Sequence, residues 1–237
     1  EAASTFRQAA AADPECALAY WGQAMTFLHP LWPDQVSEDG LVEGQKLLER
    51  AATAKKRSDR EDGYITALQA YYSGDQGGGE RDRLIGFRDG WAAVTSDYPD
   101  DAEAALFHAL AQLATVDAAD KTYAKQKSAG AEVEDVMSRI PGHPGAHHYL
   151  IHAYDVPALA DRALAAARRY GDVAPENSHA LHMTSHIFTR MGLWPESVEF
   201  NRRAADAARQ RTPAGQVSLH HLHALDHNIL CLIFFNQ

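Results

Sequence analysis

Small and aromatic residues recur along the chain at helical packing spacings, separated by breaks rich in proline, glycine and short polar residues. Ala2, Phe6 and Ala9 precede Pro14 and lead into Tyr20, Ala24 and Phe27. Phe87, Trp91 and Val94 precede Pro99 and lead into Ala105 and Ala109. The sharpest copy is Leu181, Ser185 and Phe188, then Gly192, Trp194, Ser197 and Ala204. Breaks fall at Asp13-Pro14, Pro30 to Pro33, Ser58, Gly74 to Gly79, Pro99 and Asp117 to Asp120. Further breaks fall at Pro141 to Pro144, Val156-Pro157, Pro175, Trp194-Pro195 and Pro213, which predicts about twelve helices in nearly six antiparallel pairs. In such pairs small residues let the helices approach, aromatics fill the space above them, and glycine or proline ends each helix.

Composition sharpens this picture. A chain of 237 residues that is 46% apolar and 23% charged can bury a real core, and its alanine-rich segments with few β-branched runs favour helix over strand. An almost all-α protein is expected. A net charge of −10, with no basic cluster longer than Lys55-Lys56-Arg57, excludes a surface built to neutralise phosphates, so nucleic acid is not an expected partner. The longest apolar run, Ile229 to Phe235, falls far short of the roughly 20 residues of a membrane span. Cys16 and Cys231 stand at opposite ends of a linear array, too far apart to bridge.

The repeating small, aromatic, turn-glycine and packing-alanine positions resemble the tetratricopeptide repeat (TPR) family, whose period is roughly 34 residues. The resemblance implies one TPR-like α-solenoid over 1–237. Both ends look cut through a unit: the first helix lacks its partner, and the last, starting near Gln216, runs into an uncovered apolar face. The chain is therefore expected to be part of a longer array, the alternative being self-association through these terminal helices.

Candidate chemistry is concentrated in the second half. Eleven of thirteen histidines lie between His143 and His227, where an even spread would place about five. Their spacing is helical: His148, His152 and Asp155; His179, His182 and His186; His220, His223 and His227. Residues three and four apart share a helix face, so each trio forms a stripe. In the TPR family the first helix of each pair lines a concave groove, and alignment on the Gly192-Trp194 copy places His179, His182 and His186 on that side. The resemblance thus gathers three stripes into one polar cluster. One divalent transition metal (Zn, Fe, Cu or Ni) would satisfy the imidazole nitrogens. The candidate ligands are His148, His152, Asp155, His179, His182, His186, His223 and Asp226. The bland alternative is a set of histidines held by each other, by carbonyls and by water.

His148 and His152 resemble a helical metal pair but lack the glutamate of the zinc-protease motif, so a metalloprotease is not indicated. Gly77-Gly78-Gly79 lacks the Lys-Ser/Thr of a phosphate loop and reads as a connection. Ser185 lacks a nucleophile elbow. The acidic runs Asp97 to Glu103 and Glu132 to Asp135 read as solvated helix ends and faces. Trp21, Tyr64, Trp91 and Phe107 read as core.

The segments His143 to His152 and Ser178 to His186, the helix around His223 to Asp226, and Tyr20-Trp21-Gly22 are similar to those of a group of bacterial TPR proteins without an established activity. That likeness implies a fold and not a reaction; a soluble protein is expected, with the compartment, bacterial cytoplasm or periplasm, left open. His227 departs from the aromatic residue expected after the Asp226 position. Three readings follow, in order: a His-lined groove holding a metal or small ligand; a scaffold gripping a peptide without metal; and a metal-dependent hydrolase or oxygenase.

Overall fold

A computed structural model of the chain describes residues 2–32, 34–73, 79–213 and 215–235, with side chains described as far as Ile229. The expected connection at Gly77 and Gly78 lies outside the described residues, as does the side chain of Cys231. Among the described residues the chain is all-α, with helix over 74% of its length and twelve helices packed as consecutive pairs. It divides into two compact units, residues 1–125 and 126–237. No helix among the described residues is long and apolar enough to cross a membrane.

The first unit holds α1 (Ala2–Ala12), α2 (Ala17–Met25), α3 (Glu38–Thr53), α4 (Asp59–Tyr72), α5 (Glu80–Asp97) and α6 (Ala102–Ala114). The break at Ser58 is a reciprocal cap: its hydroxyl accepts from the Glu61 amide at 3.3 Å, and the Glu61 carboxylate accepts from the Ser58 amide at 2.7 Å. Such caps contribute about 1 kcal/mol each. Helices α4 and α5 run antiparallel, because Gly90 meets the backbone of Ala67 and Gly86 that of Ala70, one pairing advancing as the other retreats. Trp21, Tyr64, Trp91 and Phe107 form the core as expected, with the Trp91 and Phe107 rings stacked at 4.8 Å.

One expectation holds only in part. Asp101 stands at a helix end as the sequence predicts, but it is not solvated: only 8% of its side chain is exposed. As the N-cap of α6 it accepts from the amides of Glu103 and Ala104, and it also accepts from Arg60 and from the Tyr64 hydroxyl. Burial would raise its carboxyl pKa, but these bonds outweigh burial and hold it lowered.

The second unit holds α7 (Ala124–Arg139), α8 (Pro144–Tyr154), α9 (Ala160–Val173), α10 (Ser178–Arg190), α11 (Trp194–Arg211) and α12 (Leu219–Phe235). Its best-defined turn is the one that the Gly192-Trp194 pattern predicts. Gly192 has φ +69°, its amide bonds to the Thr189 carbonyl at 3.2 Å, and the Leu193 amide bonds to the Phe188 carbonyl at 2.8 Å. This is a Schellman ending, for which glycine is the usual residue because its φ is positive. Helix α11 then folds back on α10: Thr189 meets Ser197, and Ser185 meets Asn201.

Alternate helices of this unit run parallel. Asp155 and His186 are hydrogen-bonded 31 residues apart, and the rings of His148 and His179 meet at the same offset. Rings at 179 and 220, 182 and 223, and 186 and 227 meet at an offset of forty-one. Helices α8, α10 and α12 therefore form one row, with like positions side by side. Helices α7, α9 and α11 form the other, linked by Glu134 to Arg162 and by Arg168 to Glu196, each pair 28 residues apart.

Candidate metal centre

The row of α8, α10 and α12 carries the histidine band. Each helix starts where the sequence supplies an acceptor: Asn177 accepts from the amides of His179 and Ala180, the His143 ring from the amide of Ala146, and the Ser218 hydroxyl from the amide of His221. The starts fix the phase of each helix, and the stripes at 148, 152, at 179, 182, 186, and at 220, 223, 227 come to neighbouring faces.

Two groups of three imidazoles converge. In one, ligand atoms of His148, His152 and His179 all lie within 4.8 Å of one another. Nε2 of His148 and Nε2 of His152 stand 2.9 Å apart, and Nδ1 of His148 lies 3.2 Å from the Tyr170 hydroxyl of α9. In the other, His182, His223 and His227 converge within the same limit, and His186 stands beside them with its Nε2 3.1 Å from that of His182.

Burial is the main cause of a pKa drop in all six converging histidines, reinforced by neighbouring imidazoles. His148 falls well below the ordinary histidine value, His152 and His179 to about 4, and His182 to about 3 despite a bond to the Asn201 oxygen that favours its charged form. These rings are therefore neutral near pH 7, the state in which an imidazole nitrogen offers a lone pair to a metal.

The partners of His182 and His186 define which nitrogen that is. Asn201, fully buried, donates from its amide to the Ser197 carbonyl at 3.0 Å, so its oxygen is the atom that faces Nδ1 of His182 at 2.8 Å. Nδ1 must carry the hydrogen, which leaves the lone pair on Nε2. Asp155 accepts from Nδ1 of His186 at 2.9 Å, so in the neutral ring the lone pair stands on that Nε2 as well. Asp155 also takes Arg190 at 2.8 Å. Its carboxyl, which burial alone would raise, is lowered by the bonds from His186 and Arg190. With both rings neutral, two lone pairs face each other at 3.1 Å. A metal ion could satisfy both; a proton in its place would make an imidazolium held by the Asp155 carboxylate but set beside Arg190 and the other rings. Two nitrogens bound tetrahedrally to zinc at about 2.0–2.1 Å lie about 3.4 Å apart, close to the separation seen.

Of the eight candidate ligands, His148, His152 and His179 come together in one group, and His182, His223 and His186 in or beside the other. Asp155 is committed to His186 and Arg190, the outer position from which carboxylates orient metal-binding histidines. Asp226 is exposed and belongs to neither converging group. His227, which the sequence pattern set aside, converges with His182 and His223. Asn201 and Tyr170 escaped notice because each reads as an ordinary packing position of a partner helix.

The bland reading holds for other members of the band. His147 is fully buried with its two nitrogens at the carbonyls of Ala166 and Pro141, and His221 bonds the Ala205 carbonyl at 2.8 Å. Ser185 donates to the His182 carbonyl at 2.7 Å and is buried, so it is no nucleophile. His29 pairs with Asp34 on its own loop at 2.9 Å. No protein-family model matches the chain, and no curated protein matches it.

Proposed function

We propose that this chain is a TPR-type helical-repeat protein that binds a divalent transition-metal ion through His182, His186, His223 and His227. In this reading α8, α10 and α12 are the first helices of three successive repeats, and the band lines their shared face. The observation that carries it is the approach of Nε2 of His182 and Nε2 of His186 to 3.1 Å, with their other nitrogens tied to Asn201 and Asp155. Neutral nitrogen donors suit zinc, copper, nickel and iron, and an all-imidazole set disfavours magnesium or calcium, which prefer oxygen.

Elemental analysis of the protein purified without chelators tests this, beside His182→Ala/His186→Ala and the more exposed pair His223→Ala/His227→Ala. Near-stoichiometric metal in the parent, lost from both variants with helicity retained, is the expected result. A parent chain that carries no metal and takes up none on titration would overturn it.

A further inference from the structure

The two converging groups share no residue, and they are built on one plan. Each takes an i, i+4 pair from a flanking helix, His148 and His152 from α8 or His223 and His227 from α12. Each adds one histidine of α10, His179 in the first case and His182 in the second. Residues 179 and 182 are three apart on a single helix, a rise of about 4.5 Å, so the two sites stand side by side.

They differ in what completes them. The α12-side group has a fourth imidazole beside it, His186, whose Nε2 lies 3.1 Å from that of His182 and whose Nδ1 bonds Asp155. Among the described residues no fourth ligand joins the α8-side group: Asp155 is turned to His186 and Arg190, and the His220 ring stands 6.1 Å from that of His179. Four protein ligands make a saturated site of the structural kind, while three histidines leave a position for water or another small donor.

We propose that the band holds two metal ions rather than one: a saturated ion at His182, His186, His223 and His227, and a second at His148, His152 and His179 whose open position takes a small anion. This rests on the metal-binding reading above and extends it. Among the described residues no carboxylate belongs to either group to offset the charge of an ion, and two dications this close repel strongly in a partly buried site. The second ion therefore binds more weakly than the first, and an anionic donor such as hydroxide or a carboxylate binds with it.

Cobalt(II) titration followed by visible absorption, with azide as the anion probe, tests this on the whole chain. The parent is expected to take up two equivalents in two phases, and azide to shift only the spectrum of the weaker phase and to tighten it. His152→Gln should remove the weaker equivalent and spare the tighter one, and His227→Gln should remove the tighter one; circular dichroism checks that both remain helical. One equivalent, lost in either variant, would mean a single shared ion and overturn the second site while leaving metal binding intact. Two equivalents indifferent to azide would overturn the open position. No uptake at all would overturn both this inference and the reading beneath it.

Discussion

Asn201 of α11 fixes the tautomer of His182 of α10: its carbonyl oxygen faces Nδ1 at 2.8 Å because its amide is committed to the Ser197 carbonyl. Outer partners of this kind are worth about 10–100-fold in metal affinity. Asn201→Leu, similar in size, should therefore weaken cobalt or zinc binding by about that factor. It should also cost about 1–3 kcal/mol of stability, since the buried Nδ1–H loses its acceptor. Asn201→Asp keeps the acceptor and should keep the affinity. Chelator competition on the three proteins reads the difference, and equal loss in the Leu and Asp variants would show that Asn201 acts through packing alone.

Asp155 does for His186 what Asn201 does for His182, but with a charge that Arg190 also uses. Asp155→Asn leaves Arg190 without its carboxylate and lets the amide present either an acceptor or a donor to His186. Metal affinity should drop about 10–100-fold. Arg190→Gln removes the guanidinium but leaves the carboxylate on His186, and should bind metal at least as tightly as the parent. Isothermal calorimetry with zinc would separate the two, and an affinity gain in Asp155→Asn would refute the orienting role.

The helices were legible because each needed only local information. Ser58, Asp101, Asn177 and Gly192 stand at helix ends where the sequence placed breaks or turns, and the stripes at 148, 152 and 179, 182, 186 follow from helical spacing alone. Partition of the band into two groups was not legible. Spacing says which residues share a face, but not which neighbour each meets across helices, and that depends on the offsets between repeats. These are 31 residues from α8 to α10 and ten more from α10 to α12; most of the excess comes from α11, with 18 residues against 14 in α9, and from the longer connection that follows it. With that offset, His227 falls beside His186, whereas Asp226, one residue earlier, is rotated by about 100° to the exposed side. Asn201 gave one weak signal, a lone amide four residues after Ser197 on a face otherwise made of small residues.

Neutral buried histidines make the second unit sensitive to acid. Unfolded, each titrates near the ordinary value of about 6.5, and folded, His152 and His179 titrate at about 4 and His182 at about 3. Between those values the unfolded chain binds more protons than the folded one, so stability rises with pH through that window. The contribution is fully present above about pH 6.5 and is lost as pH falls towards 4. Urea unfolding of metal-free protein, followed from pH 8 to pH 4, should show a flat midpoint above about 6.5 and a steep fall below it. In His182→Gln the fall should be shallower, and an unchanged slope would mean that His182 is already charged or exposed in the folded protein.

Gly130 of α7 links packing to the site. A Cβ there would lie 2.3 Å from Cζ and from the hydroxyl oxygen of Tyr154, the last residue of α8. Tyr154 cannot swing away: it is fully buried, its hydroxyl donates to Glu134 at 2.9 Å, and Arg162 lies over its ring at 4.4 Å. Alanine gains about 1 kcal/mol of helix propensity, but overpacking costs about 1–3 kcal/mol or more where the neighbour is fixed. Gly130→Ala should therefore be net destabilising and lower the melting temperature by several degrees. Gly142→Ala, with nothing within 4 Å of its Cβ, should be nearly neutral. Because Asp155 directly follows Tyr154, any shift of that ring is passed to the carboxylate that holds His186, so Gly130→Ala should also weaken metal binding. Gly130→Ala/Tyr154→Leu, which removes the clashing ring, should recover part of both losses. Differential scanning calorimetry with and without zinc measures the two together, and a Gly130→Ala protein as stable as the parent would show that α7 and α8 separate more readily than their packing implies.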